Sequence, residues 1–160
     1  MFSVRVSPLV ARLLGCLALC LTVFLGNLAP TPASASNFAF QQYKSAVCNY
    51  SLCQLDFAPP PAGKRIEITS ESCEYVTHSL SSKIVESEFD LVDTGNNIVL
   101  QEFLVPVLKS SLPVLGDRYA ANQTTLIYVP PTYHLRARLS VSQNTGEIIS
   151  CKLAGTIVTP

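Results

Sequence analysis

The chain has 160 residues, with 11 Lys+Arg set against 11 Asp+Glu, and 48% of its residues are hydrophobic. That length supports one ordinary domain. A balanced, unclustered charge excludes the basic surface that nucleic acid requires and the polybasic face that draws a protein to anionic lipid.

Residues 1–35 read as a cleaved secretory signal peptide. Arg5 and Arg12 precede Leu13–Gly26, an almost wholly apolar run of 14 residues. Ala33 and Ala35 then flank Ser34 as a small-residue cleavage site, which completes the order of an export signal. The run is short for a membrane span of ~20 residues, and Pro30 and Pro32 come after it. The expectation is an exported protein, secreted or periplasmic and of bacterial type. Its domain is expected over 36–160, with no membrane span after cleavage.

Four cysteines lie in that domain: Cys48, Cys53, Cys73 and Cys151. An even number in an exported chain reads as disulfides. Three pairings are open; the preferred one joins Cys48 to Cys53 and Cys73 to Cys151. The first closes a local loop and the second ties an early strand to the last. A zinc site would need further Cys or His at paired spacing, and His78 and His134 are isolated. A redox motif would space its cysteines by two residues rather than four. No cofactor is expected.

From Asn37 onward the pattern turns β-like. Residues 37–47 form a leading segment, a short helix or an edge strand. Leu55 and Phe57 alternate with Gln54 and Asp56, and Pro59–Pro61 end that run. Ile66 and Ile68 then alternate with Glu67, Thr69 and Glu71, placing the acids on a wet face. Val85, Phe89 and Leu91 take one parity of the next strand, and Glu86, Glu88 and Asp90 the other. Asp93–Asn97 forms a turn, and residues 97–107 run back as its hairpin partner. Residues 109–117 read as a connector. Tyr133, Leu135, Ala137, Leu139 and Val141 alternate with His134, Arg136, Arg138 and Ser140. After a turn at 143–146 the last strand closes the domain. The predicted fold is an all-β sandwich, jelly-roll-like, with seven or eight antiparallel strands and two disulfides.

Leu91–Asn97, LVDTGNN, resembles the catalytic loop of aspartic proteases, and Val114-Leu115-Gly116 resembles that family's later apolar-apolar-Gly element. The resemblance implies an Asp93 that shares a proton with a second such loop. Asn96 stands where the family carries Ala or Ser, and the short interval to Gly116 leaves no chain for a flap. The same residues make an ordinary hairpin turn, which is the reading adopted.

Three other groups bear chemistry. Glu86, Glu88, Asp90 and Asp93 offer oxygens for a loose Ca²⁺ site, or form the solvated face of a strand. His134, Arg136 and Arg138 suit a carboxylate, phosphate or sulfate, or pair across the sheet with the acidic row. On the outer-face reading, replacing Arg136 and Arg138 by Ala leaves folding intact. Tyr119, Tyr128 and Tyr133, taken as a cluster about Pro130-Pro131, are candidates for a binding platform in a chain that has no Trp. Asn49-Tyr50-Ser51 and Asn122-Gln123-Thr124 match the glycosylation pattern, which counts only in a host that glycosylates.

No nucleophile elbow and no metalloprotease helix motif is present. The functional expectation is a non-catalytic binding or interaction module whose ligand is an extracellular or envelope protein or carbohydrate. The alternatives are a secreted hydrolase with a site at one sandwich end, and a structural surface subunit assembling through edge strands.

Overall fold

Nine strands make up two antiparallel sheets in the computed structural model, which describes residues 37–48, 50–113, 116–143 and 146–159. The strands are β1 (Phe38–Val47), β2 (Leu52–Asp56), β3 (Arg65–Val76), β4 (Ile84–Val92), β5 (Ile98–Phe103), β6 (Val107–Leu112), β7 (Gly116–Val129), β8 (His134–Val141) and β9 (Ile148–Val158). The signal-peptide reading, Asn49 of the first glycosylation match, the Val114-Leu115 pair and part of the 143–146 turn lie outside the described residues. Among the described residues no helix is long and apolar enough to cross a membrane.

One sheet has the order β1-β9-β3-β7-β6, and the other β2-β8-β4-β5. The chain changes sheet at most connections, which is the winding of a jelly roll with β6 added at one edge. The expected count was seven or eight strands; β6 is the addition. Lys109-Ser110-Ser111 hid it, since an edge strand paired only to β7 has no buried periodicity to show.

The inward faces supply one core that includes Ile66, Ile68, Tyr75, Phe89, Ile127, Leu139, Ile149 and Leu153. β8 has the predicted alternation, buried and half-buried by turns. Cys73 and Cys151 stand opposite each other on β3 and β9, with Cα atoms 4.1 Å apart, and are bonded. Cys48–Cys53 closes the loop before β2. The leading segment is an edge strand, β1, paired along its length with β9.

Two bulges revise the predicted faces. The β3 register with β9 shifts between Ile68 and Ser70, so Thr69 is an extra residue and inward parity changes from even to odd. Glu71 therefore points into the sandwich, 1% exposed, and not to the wet face. The backbones close in tightly there: a Cβ on Gly155 would lie 2.0 Å from the Glu67 carbonyl oxygen. In β4 the register shifts between Ile84 and Glu86. Val85 is expelled to solvent, 69% exposed, where alternation placed it with Phe89 in the core.

Candidate functional site

The His134–Arg138 row lies on the outer face of the four-stranded sheet, and its charges are met within the chain. Arg138 is opposite Glu88 on β4, and Arg136 opposite Asp90. Arg138 Nη1 lies 2.7 Å from Glu88 Oε1 and 3.2 Å from Asp90 Oδ2. Gln101 on β5 donates to the other Glu88 oxygen. Arg136 donates to Asp56 Oδ1 at 2.6 Å and to Asn96 Oδ1 at 2.8 Å, and His134 lies 3.2 Å from the same Asp56 oxygen. Partial burial pushes the Asp56 carboxyl up, but Arg136 and then His134 more than offset this and hold it below its ordinary value.

The predicted solvated acidic face is half right. Glu86 is half-buried on that face, whereas Glu88 and Asp90 are sealed from water. Burial, with Asp90 nearby, pushes Glu88 up, and Arg138 only partly offsets it. The Ca²⁺ set does not converge: the Arg138 guanidinium occupies the space between Glu88 and Asp90. Asp93 is spent on its own turn, where it accepts from Gly95 N, Asn97 N and Asn97 Nδ2. Those bonds pull Asp93 below its ordinary value. The loop that resembles a protease is thus a hairpin turn, with Asn96 at φ 64°.

The tyrosines separate. Tyr128 and Tyr133 stay near the Pro130-Pro131 turn, with Arg65 stacked 5.5 Å from the centre of the Tyr128 ring. Tyr119 lies nine residues back along the same strand, roughly 30 Å away at the rise of a β-strand. It lines a cleft of about 320 Å³ on the flank of the sandwich where β5 crosses over to β6.

That cleft is the most site-like concavity described. Its walls are Ile84–Ser87 of β4, the Phe103–Pro106 crossover, and Tyr119 of β7, with Lys83 at the rim. It arises because β5 leaves β4 early. Leu104 N still donates to Ser87 O at 2.8 Å, and Pro106 then carries the chain to the other sheet. Beyond that point β4 keeps β8 on one side, while among the described residues no strand pairs Ile84–Glu86 on the other.

The polar groups around the cleft are fixed by their partners. Asp117 accepts from Ser111 Oγ at 2.5 Å and from Tyr119 Oη at 3.1 Å, and Lys83 Nζ is 3.4 Å away. Ser111 contributes most to holding Asp117 below its ordinary value, with Tyr119 and Lys83 adding to it. Burial and then Asp117 push Tyr119 up. Ser87 is hydrogen-bonded to Tyr75 across the sandwich, and burial pushes the Tyr75 phenol up to about 12. A hydroxyl so held is a poor base for Ser87.

Alternation misses a second polar group, and only the bulge at Thr69 brings it together. Glu71 faces the interior with neither carboxyl oxygen hydrogen-bonded. Its neighbour across the strands is Gln123. Gln123 and Thr125 both donate to Glu102 Oε2, at 2.8 and 2.7 Å, clasping β5 to β7. Burial, with Glu102 adding to it, pushes Glu71 up to about 8. A buried carboxyl pushed up in this way is what a glycosidase uses as its general acid. A substrate has no path to Glu71 at 1% exposure.

No protein-family model matches the chain, and no curated protein is recognisably similar to it.

Proposed function

We propose that the chain is an exported, non-catalytic binding module whose ligand is an extended polypeptide segment seated in the cleft beside Tyr119. The carrying observation is the edge of β4 at Ile84–Glu86, which no strand among the described residues pairs and which forms one wall of that cleft. An unpaired strand edge offers backbone donors and acceptors in a row, and a pocket beside it selects side chains; this is how strand addition recognises peptides. Ile84, Leu104, Pro106 and the Tyr119 ring suit an apolar side chain, and Lys83 and Glu86 flank it with opposite charges. Two disulfides and the leader-like N-terminus support an oxidising location, secreted or periplasmic.

The test is to pan a random peptide library against the oxidised protein, with Val85→Glu as the control. Val85 sits on the lip of the cleft and outside the core, so its replacement spares folding. Apolar peptides that bind the native chain and lose affinity at least tenfold on Val85→Glu support the reading. Failure to enrich, or peptides indifferent to the substitution, sinks it.

A further inference from the structure

Glu71 and Glu102 differ from the buried acids Glu88, Asp90 and Asp117 in having no cation beside them. Glu88 and Asp90 share Arg138, and Asp117 has Lys83. Among the described residues neither Glu71 nor Glu102 has an ion-pair partner. Glu71 is 1% exposed, and neither of its oxygens accepts a hydrogen bond. A carboxylate buried without a partner is strongly unfavourable.

The two carboxyls come from different sheets and meet at one amide. Glu71 on β3 is the direct ladder partner of Gln123 on β7. Gln123 Nε2 donates to Glu102 Oε2 at 2.8 Å, and Thr125 Oγ donates to the same oxygen at 2.7 Å. Glu102 stands opposite Phe89 in the β4–β5 ladder, and Phe89 is a core residue, so Glu102 shares its inward face. Three carboxyl oxygens have no donor among the described residues: both of Glu71, and Oε1 of Glu102. The two bonds on Oε2 fix the Glu102 carboxylate, as the outer partners of a metal ligand do.

We infer that Glu71 and Glu102 form a calcium site between the two sheets. Two carboxylates balance the charge of one divalent ion, and no side-chain cation competes for them. The free ligands are hard oxygens, which calcium prefers; it accepts a bidentate carboxylate such as Glu71 and completes an irregular shell with water. Magnesium demands a near-ideal octahedron and dehydrates reluctantly, so it suits this site less. β6 covers the edge of β7 only as far as Ala120. Beyond it the flank is closed by Glu102, Gln123 and Thr125, all half-buried. Rotation of these side chains admits an ion where a substrate has no path. Among the described residues no three acids, histidines or cysteines converge on one point. The affinity therefore belongs with the weak sites of extracellular modules, Kd about 10⁻⁴–10⁻³ M. None of the four residues lines the Tyr119 cleft.

Thermal melts and calorimetric titration of the oxidised chain with CaCl2 test this. Each protein in about 10 mM CaCl2 is compared with itself in EDTA, because Glu71→Gln also changes the stability of the ion-free chain. By mass action at that affinity the native Tm should rise by roughly 4–10 °C. Glu71→Gln and Glu102→Gln should each lose most of the rise and at least tenfold in calcium affinity. Glu102→Gln keeps an oxygen for Gln123 and Thr125, so its fold is spared. Glu74→Gln, at an exposed acid of the same strand, should keep both the rise and the affinity. A native chain that neither binds nor stabilises with calcium overturns the inference. So does a rise that survives Glu71→Gln or Glu102→Gln, or an equal rise in MgCl2. Peptide binding at the cleft is read separately, through Val85→Glu.

Discussion

Arg138 and Glu88 are direct cross-strand partners on the outer face of their sheet, 2.7 Å apart, and Glu88 is 1% exposed. The outer-face position was legible from alternation, but the expectation that Arg138→Ala leaves folding intact does not survive the contact. Removing the guanidinium strands two sealed carboxyls, Glu88 and Asp90, without a cation. Breaking a buried pair costs about 3–5 kcal/mol; the Arg138 side chain is partly open to water, which argues for the lower end, about 3 kcal/mol. Urea denaturation at neutral pH measures this. The loss should shrink on acidification as Glu88 takes up a proton, and it should be largely recovered in the triple variant with Glu88→Gln and Asp90→Asn.

Glu71 predicts an unusual pH dependence. Its carboxyl is pushed up to about 8 in the folded chain against an ordinary 4.5. Below about pH 4.5 both states hold the proton and the group costs no ionisation energy. Between 4.5 and 8 the unfolded chain releases its proton while the folded chain keeps it, so stability falls as pH rises. Above 8 the penalty is complete, at most about 4–5 kcal/mol by linkage. Glu71→Gln should abolish most of this slope and be the more stable protein at pH 8.5. Denaturation curves of both proteins at pH 5 and pH 8.5 decide it; parallel pH profiles would show that Glu71 is not the group responsible.

Sequence reading succeeded where one period runs unbroken and failed where a single residue is inserted. β8 alternates without interruption, and the burial of His134–Val141 keeps step with it. The Cys73–Cys151 pairing was preferred as a tie from an early strand to the last, and the strand adjacency it implied holds: β3 and β9 are neighbours and the two cysteines are bonded. Thr69 and Val85 look like any other strand residues, yet each shifts the register: past Thr69 the rest of β3 takes the opposite parity, and at Val85 the side chain goes to solvent while Phe89 and Leu91 keep their places in the core. The Glu71–Glu102–Gln123 group was invisible for that reason. The cleft was invisible for another: it exists because β5 departs from β4 at Leu104, and a connector's path is set by tertiary contacts.

Gly155 offers a direct test of the β3 bulge. It faces Ile68 across the β3–β9 ladder, and any Cβ there would drive into the Glu67 carbonyl. Neither partner is a flexible side-chain end that can swing away. Gly155→Ala should therefore cost about 2–4 kcal/mol, at the upper end of single-residue effects. Thermal melts and amide exchange on β3 and β9 would show it. An Ala variant as stable as the parent would mean that the strands do not approach so closely at Thr69.

The two disulfides should differ in worth, because they close loops of very different length. Cys48–Cys53 spans a sequence separation of 5 and Cys73–Cys151 one of 78. In the chain-entropy account the short loop is worth about 2 kcal/mol and the long one about 4–5 kcal/mol. Replacing Cys73 and Cys151 together by Ala also leaves a gap between β3 and β9 at the centre of the core, since both are at most 2% exposed, so the measured loss should exceed the entropic figure. The Cys48→Ala, Cys53→Ala protein should stay folded, with the loss felt locally as faster amide exchange in β2 and at the Cys48–Glu147 backbone bond. Denaturant midpoints of the two double variants under non-reducing conditions settle the order. Equal losses would mean that the unfolded chain is already compact between residues 73 and 151, and that the long bridge restrains little that was free.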